Sequence, residues 1–474
     1  MSEQKEGFKS SLSLMDATML VAGSMIGSGI FIVSADIARN TGSAGWLMAV
    51  WIITGFMTLT AALSYGELSA MFPKAGGQYI YLKEAYNPLV SFVFGWTYFT
   101  VIQTATIAAV GVAFAKFTAY LLPVLDEDVI VADLGFLQIS SAQLLSIGVI
   151  LLLTIINTRG VNSGKAVQTS ITVIKIVSLL GLILFGFLAF KPEVWQANWG
   201  EGAWDLHRLN RDGSIAEYTT VAALGAIAAA MVGSIFSSDS WHSSSAVAGE
   251  IRNPGRNVGL SLALGTIIVT IVYLLTNMMY TGVLTMEQMA SADKDRVAMS
   301  AAQEIFGPVG ITIIAVMIMV STFGCNNGLI MAGARVYYSM AQDGLFFRKV
   351  GLLNKASVPG FALWLQCIIA SLWSLSGKYG DLLDMISSVV VIFYVLTIAG
   401  IFILRKTKPE LPRPYKAFGY PVLPIIYILM GITFIGLMIV YKPAFTWPGI
   451  IIALIGIPIY YLIRNRSKHT SQAE

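Results

Sequence analysis

Two long apolar stretches of this 474-residue chain are interrupted at their centres by glycine and serine and, in one of them, an aspartate. The first reads GSMIGSGIF from Gly23 to Phe31, and the second GSIFSSDSW from Gly233 to Trp241. A helix broken at such points leaves amides and carbonyls without intrahelical partners. In hydrocarbon each unpaired group costs several kcal/mol, so irregular backbone persists at membrane depth only where protein or a filled cavity satisfies it. The chemistry on offer is coordination. Amides opening the half-helix after Gly27, with its positive dipole end, suit an anion. Carbonyls freed near Met25 and Ile26, and from Ser234 to Phe236, accept from a cation. Gly27 and Gly29 carry no side chain to hold a ligand away, and Ser28 adds a hydroxyl. The competing reading of Gly23, Ser24, Gly27 and Gly29 is close helix packing, the usual work of small-xxx-small patterns in membranes.

Two charges fall at similar depth. Asp239 costs about 2.5 to 3.5 kcal/mol at a bilayer centre on insertion scales, so it needs local work. One such task is capping the second half of the interrupted stretch; the other is meeting a ligand's ammonium. Lys175 lies ten residues beyond Lys165, about 15 Å along a helix and near the middle of a core about 30 Å thick. Snorkelling from there is blocked, so its ammonium is expected to pair with carbonyls or polar groups of the broken helix. A purely structural tether is the competing reading.

The elements that position these groups follow from composition. Hydrophobic residues make up 56% of the chain and charged residues 12%, against roughly 25% charged in a soluble domain. Twelve stretches reach membrane length, near residues 16–38, 44–71, 88–122, 139–157, 166–190, 219–249, 258–284, 309–341, 358–376, 383–404, 420–441 and 446–463. The interrupted stretches are the first and sixth, which sets a repeat of five. A repeat of odd length must insert upside down in its second copy, so the two breaks meet at a pseudo-two-fold axis in the membrane plane. Paired breaks of this kind point to a midplane site in a secondary transporter. The chain divides into an N-terminal segment (1–15), a ten-helix core (16–404, in halves 16–190 and 219–404), two peripheral helices (405–463) and a tail (464–474). The start, with Lys5 and Lys9, has no cleavage pattern. Lys and Arg clusters at Arg348–Lys355, Arg405–Lys416 and Arg464–Lys468 put both termini in the cytoplasm. The connection 191–218 carries Trp195, Trp199 and Trp204, as expected near an interface.

Three motifs now carry a family resemblance. GSMIGSGIF, then SYGELSAMFPKAGGQYIYL (64–82), then FSSDSW followed by GEIRNPGRN (249–257) resemble the amino acid, polyamine and organocation transporters, and among them the bacterial L-type amino acid transporters. The resemblance implies an all-α membrane protein of twelve transmembrane helices: a leucine-transporter-like 5+5 inverted repeat with helices 1 and 6 broken, plus two peripheral helices. It implies a zwitterionic amino acid as ligand, its carboxylate at Ser28 and Gly29 and its amine at the carbonyls of Met25, Phe236 and Asp239. Phe236 matches the family's gating aromatic, with ordinary core packing as the alternative. VQTSITVIK resembles the fifth span, whose lysine accompanies sodium-independent transport; permanently charged, Lys175 favours exchange, and shedding its proton it would carry a coupled proton. A neutral L-amino acid, carried by an exchanger in the cell membrane, is the expected substrate. Proton-coupled symport, a cationic or polyamine substrate through Asp239, and an amino acid sensor are the alternatives. His242 and Ser240 depart from the family pattern at the pocket floor.

Other features are weaker or exclude a class. Lys116 is close enough to Pro123 to snorkel. Glu67, Arg252 and Arg335 fall toward cytoplasmic ends, as gate ion pairs or as solvated charges. Ser321, Asn326 and Asn327 put polar groups in the eighth span. GVNSGKA from Gly160 to Ala166 is one residue short of a phosphate loop and lacks the following hydroxyl residue, and His207, His242 and His469 show no metal-ligand spacing. The net charge of +4 reflects topology and gives no basic face for nucleic acid. Cys325 and Cys367 both fall within spans, so no cofactor, metal or disulfide-linked accessory subunit is expected.

Overall fold

The computed structural model describes residues 10–133, 135, 138–376 and 379–470. Lys5, Lys9 and the last four residues of the tail lie outside the described residues, as do the side chains of 161–167 and 465–470, which include Lys165, Arg466, Lys468 and His469.

Nearly every long apolar stretch becomes a helix, because hydrocarbon leaves the backbone no partner but itself. In chain order these are α1 (Leu14–Met25), α2 (Gly29–Thr41), α3 (Ala44–Met71), α4 (Gln78–Ala85), α5 (Pro88–Thr97), α6 (Gln103–Leu121), α7 (Ser141–Thr158), α8 (Val161–Leu188) and α9 (Pro192–Trp199). The second half holds α10 (Thr220–Ser237), α11 (Ser243–Ala246), α12 (Pro254–Val283), α13 (Met286–Ala290), α14 (Val297–Phe306), α15 (Pro308–Gln342), α16 (Gly360–Ser376), α17 (Tyr379–Thr407), α18 (Val422–Tyr441) and α19 (Pro443–Thr470). Local signals set the boundaries. Ser13 caps α1 reciprocally with Asp16, and Gly42, at φ 68°, ends α2 in the left-handed region.

Among the described residues, ten helices are long and apolar enough to cross a membrane, and eleven when α1 and α2 are taken as one span bent by 40°. α5 and α6 make a single span, Pro88–Leu121, carrying one π turn at Tyr98–Ile102. The stretch expected over 358–376 is the 17-residue apolar helix α16, shorter than the others. The connection 191–218 holds α9 and a hairpin of two short strands, β1 (His207–Leu209) and β2 (Ile215–Glu217), with Trp195 and Trp199 stacked at 5.3 Å.

α1, α2 and α10 lie at the centre, packed on α3, α8, α12, α15 and α17. The Pro88–Leu121 span is 89% buried against 28% for α18 and 22% for Pro443–Arg464, which places the last two helices at the periphery. α18 touches the core along one stripe, Pro424, Tyr427, Gly431, Phe434 and Met438, the three-and-four spacing of a helix face. The second half of the sixth stretch is shorter than the sequence suggests. After α10 comes a turn with Ser240 at φ 66°, then only the four residues of α11 and a 3-10 turn. Ser243 and Ser245 donate their hydroxyls back to the carbonyls of Ser240 and His242 at 2.6 and 2.7 Å, a local alternative that competes with helix propagation.

Candidate functional site

The first break is satisfied from outside. α1 stops at Met25, Ile26 turns out of the helix at ψ 87°, and α2 restarts at Gly29. Every carbonyl from Gly23 to Gly27 then meets a side-chain donor from another helix. The Lys175 ammonium on α8 donates to Gly23 O and, at 2.7 Å, to Ile26 O. Cys325 Sγ on α15 donates to Ser24 O at 3.0 Å, and Ser321 Oγ donates to Ile26 O and Gly27 O at 3.3 and 3.4 Å. The Tyr273 hydroxyl on α12 donates to Met25 O at 2.9 Å. Lys175 is 2% exposed. Its ammonium has carbonyl partners and, among the described residues, no carboxylate partner. Ser28, the N-cap of α2, makes no side-chain cap; of the first-turn amides of α2, that of Phe31 donates to Ser28 O at 3.1 Å, and a helix start of this kind leaves the earlier amides without intrahelical acceptors.

The second break is satisfied from within. The Ser238 amide donates to Ser234 O at 2.9 Å, the Asp239 amide to Phe236 O at 3.1 Å and the Ser243 amide to Ser240 O at 3.0 Å. The N-cap of α11 is His242, with no side-chain cap bond. Asp239 therefore does not cap that helix: the Ser243 and Ser245 amides are taken by the carbonyls of Ser240 and His242, and the Asp239 carboxylate accepts from the Tyr394 hydroxyl on α17. One group joins the two breaks. Tyr273 Oη also lies 3.0 Å from Ser237 O, and a phenol has one proton, so Met25 and Ser237 share a single donor.

The breaks touch at Gly29. A Cβ there would come within 1.9 Å of Ser237 Oγ, and one at Gly27 within 2.9 Å of Cys325 Sγ. The room left by both glycines is thus filled by neighbouring side chains, which gives close packing as their immediate role. Ser28 Oγ lies 2.9 Å from Tyr379 Oη on α17, and the Tyr379 ring meets the Phe236 ring edge-on at 6.1 Å. Tyr379 also floors a cavity of about 470 Å³ walled by Asp36, Arg39, Lys116, Asp384 and Lys442. Ion pairs Arg39–Asp295 at 2.7 Å and Lys442–Asp384 at 3.0 Å rim this vestibule. Beneath, Asp239 lines a cavity of about 20 Å³ with Thr54, Trp241, Tyr394 and Tyr427. Tyr427 comes from α18, so a peripheral helix reaches the site.

A family model for amino acid permeases matches residues 12–460. The chain belongs to the amino acid permease family. Among its relatives, the permease is 27% identical to the "Serine/threonine exchanger SteT" of Bacillus subtilis (strain 168), across 98% of this chain and 99% of that one. It is 28% identical to the human "Large neutral amino acids transporter small subunit 2", across 96% and 80%, and 27% identical to the mouse "b(0,+)-type amino acid transporter 1", across 95% and 87%. The resemblance seen in the three sequence motifs holds over almost the whole length, and the protein is a multi-span helical amino acid transporter.

In this permease Met25, Ile26, Gly27, Ser28, Gly29, Phe236, Asp239 and Lys175 are all buried; Lys175 bonds the first break, Phe236 meets the tyrosine that bonds Ser28, and Asp239 and Lys175 line two separate small cavities. Asn327 pairs instead with Asn157 and Gln168, and Gln168 packs against Gly23 at the edge of the first break. Asn326 is fully buried with neither amide atom bonded to a described residue. Arg335 and Glu67 find partners the sequence did not indicate. Arg335 Nε is 2.8 Å from Glu250, both about fully buried, and Arg405 is 2.6 Å from Glu67. The Arg252 side chain is exposed. Glu250 also accepts through its main-chain oxygen from the amides of Ser11 and Leu12, at 3.0 and 2.9 Å. Sequence reasoning missed Tyr273, Tyr379 and Tyr394. Their signal was available, since a tyrosine deep in an apolar span brings a hydroxyl that must find an acceptor. Among the described residues no group of three or more His, Cys, Asp or Glu could hold a metal ion.

Proposed function

We propose that the chain is a sodium-independent exchanger of neutral L-amino acids that works by alternating access. It has twelve transmembrane helices in a leucine-transporter-like 5+5 arrangement, with halves 16–190 and 219–404 and α18 and α19 outside. Both termini are cytoplasmic, and the vestibule above Tyr379 faces outward. The observation that carries this reading is the Lys175 ammonium on the carbonyls of Gly23 and Ile26, a fixed positive charge where sodium would otherwise be needed. The two cysteines are buried and free, which supports a chain that works without a disulfide-linked subunit.

The geometry suggests how cargo is held. Its carboxylate takes the first-turn amides of α2 at Ser28 and Gly29, where the dipole end favours an anion. Its ammonium takes the second lone pairs of the Met25, Ile26, Phe236 and Asp239 carbonyls. Because Ser28 already bonds Tyr379, an arriving carboxylate competes for that hydroxyl, and binding loosens the lid on which Phe236 rests. A neutral side chain suits a site whose one nearby acid, Asp239, is engaged by Tyr394. The names of the relatives, an exchanger of serine and threonine and a transporter of large neutral amino acids, agree in class.

Reconstituted protein should take up labelled neutral amino acid only when the liposomes hold amino acid inside, with or without sodium. Uptake that requires sodium defeats this reading. A second reading, proton-coupled symport, is favoured by the lack of a carboxylate partner at Lys175 among the described residues: a neutral amine keeps two N–H donors for the two nearest of its three carbonyls, Gly23 and Ile26, and no ion pair is lost. Uptake into empty liposomes driven by an imposed proton gradient would select it.

A further inference from the structure

Outside the site, a groove of about 440 Å³ opens between the far halves of α8 and α15. Its walls are apolar and strongly exposed: Phe185 is 50% exposed, Val309 70% and Ile313 54%. The groove exists because two positions lack side chains. A Cβ at Gly181 would meet no atom within 4 Å, so the space beside it is open, while Gly310 lets α15 begin against Phe306. The Phe185 and Phe306 rings, at 5.4 Å, close one end. The floor is shared: Ser178, Leu182, Ile314 and Met317 line both this groove and a small chamber whose inner wall is Lys175 and Ser321.

We propose that this groove seats one acyl chain of a bilayer lipid, from the leaflet on the side of the 191–218 connection. Depth and chemistry both select that occupant. On α8 the groove runs from Ser178 to Phe185, seven residues or about 10 Å of rise, a third of a core about 30 Å thick and within the depth of a single leaflet. Past its Phe185–Phe306 end the chain reaches the Lys191–Glu304 ion pair and the stacked Trp195 and Trp199, groups that sit at headgroup level. No polar partner lies along the walls apart from the Ser178 hydroxyl, so an apolar chain satisfies the groove and a polar ligand does not. A chain seated there packs directly on the outer wall of the Lys175 chamber, and the bilayer thereby becomes part of what holds α8 against α1. This inference is independent of which amino acid is carried.

The test uses full-length protein in liposomes containing a phospholipid with a photoactivatable diazirine midway along one chain, followed by mass spectrometry of the labelled peptides. Label is expected to concentrate on residues 178–185 and 306–317. Gly181→Phe starts from a position where a Cβ meets no atom within 4 Å and puts a ring into the open space, and Val309→Trp narrows the opposite wall; each should abolish labelling of the groove while leaving α18 and α19 labelled as before. Uniform labelling of all lipid-facing helices, or groove labelling that survives both substitutions, overturns the proposal. Cross-linked dimers joined through α8 or α15 in place of lipid label also overturn it, since the occupant would then be a second copy of the chain.

Discussion

The two breaks solve one problem in opposite ways. At the first, five successive carbonyls are answered by side chains from α8, α12 and α15. At the second, the carbonyls of Ser234, Phe236, Ser240 and His242 are answered by amides and hydroxyls of the same turn. A break held by its neighbours can move only if they move or let go. The second break is tied to its neighbours through side chains instead, Ser234 to Thr54, Asp239 to Tyr394 and Ser244 to Ser261. The difference lies in who answers the main chain, and the Tyr273 hydroxyl lies between the two breaks.

Substitutions that strip donors from each break test this asymmetry. The largest effect is expected for Lys175→Met, which bares the Gly23 carbonyl, at about 1–3 kcal/mol for an unsatisfied group, and leaves Ile26 O only the longer bond from Ser321. Transport should vanish and the melting temperature should fall; a variant as stable as wild type would break the comparison. Ser28→Leu comes next and acts on binding: it inserts bulk beside Tyr379, and ligand binding should be lost while the folded fraction on size-exclusion chromatography is kept. Wild-type affinity in that variant would refute the assigned pocket. Tyr273→Phe removes the donor shared by the breaks and should cost about 0.5–1.5 kcal/mol, the net worth of a typical hydrogen bond. Exchange rate should fall more than stability, and equal losses would mean that the bond is only structural. The smallest change is expected for Ser245→Ala, at the low end of about 0.5–1.5 kcal/mol, because His242 O keeps its bond from the Ser245 amide. A loss there as large as at Lys175 would show that the second break is not self-sufficient.

Much of this arrangement was legible in the sequence, and the reason is the solvent. Where hydrocarbon forces helix everywhere, GSMIGSG and GSIFSSDS stand out as places where helix is abandoned. The 1.5 Å rise alone put Lys175 level with them. What could not be read was which donor meets which carbonyl. Tyr273 and Met25 are separated by 248 positions and Ser28 and Tyr379 by 351, and no local pattern sets such pairings. The same blindness hid Asp239's bond to Tyr394 and suggested a cap for α11. It also hid the brevity of α11, where neighbouring serines favour turns over helix, and the reach of Tyr427 from a helix whose sequence reads as scaffold.

Glu250 is held at two of its ends by different parts of the chain. Its carboxylate is clasped by Arg335, and its main-chain oxygen anchors Ser11 and Leu12, ahead of α1. Three segments distant in sequence thus meet at a single residue, and none can leave without disturbing the other two. Any motion that parts one of these segments therefore strains the other two at the same point. A rigid fusion joined directly before Ser11 would load that junction, and a tag placed there acts on Arg335 as well as on the start of α1.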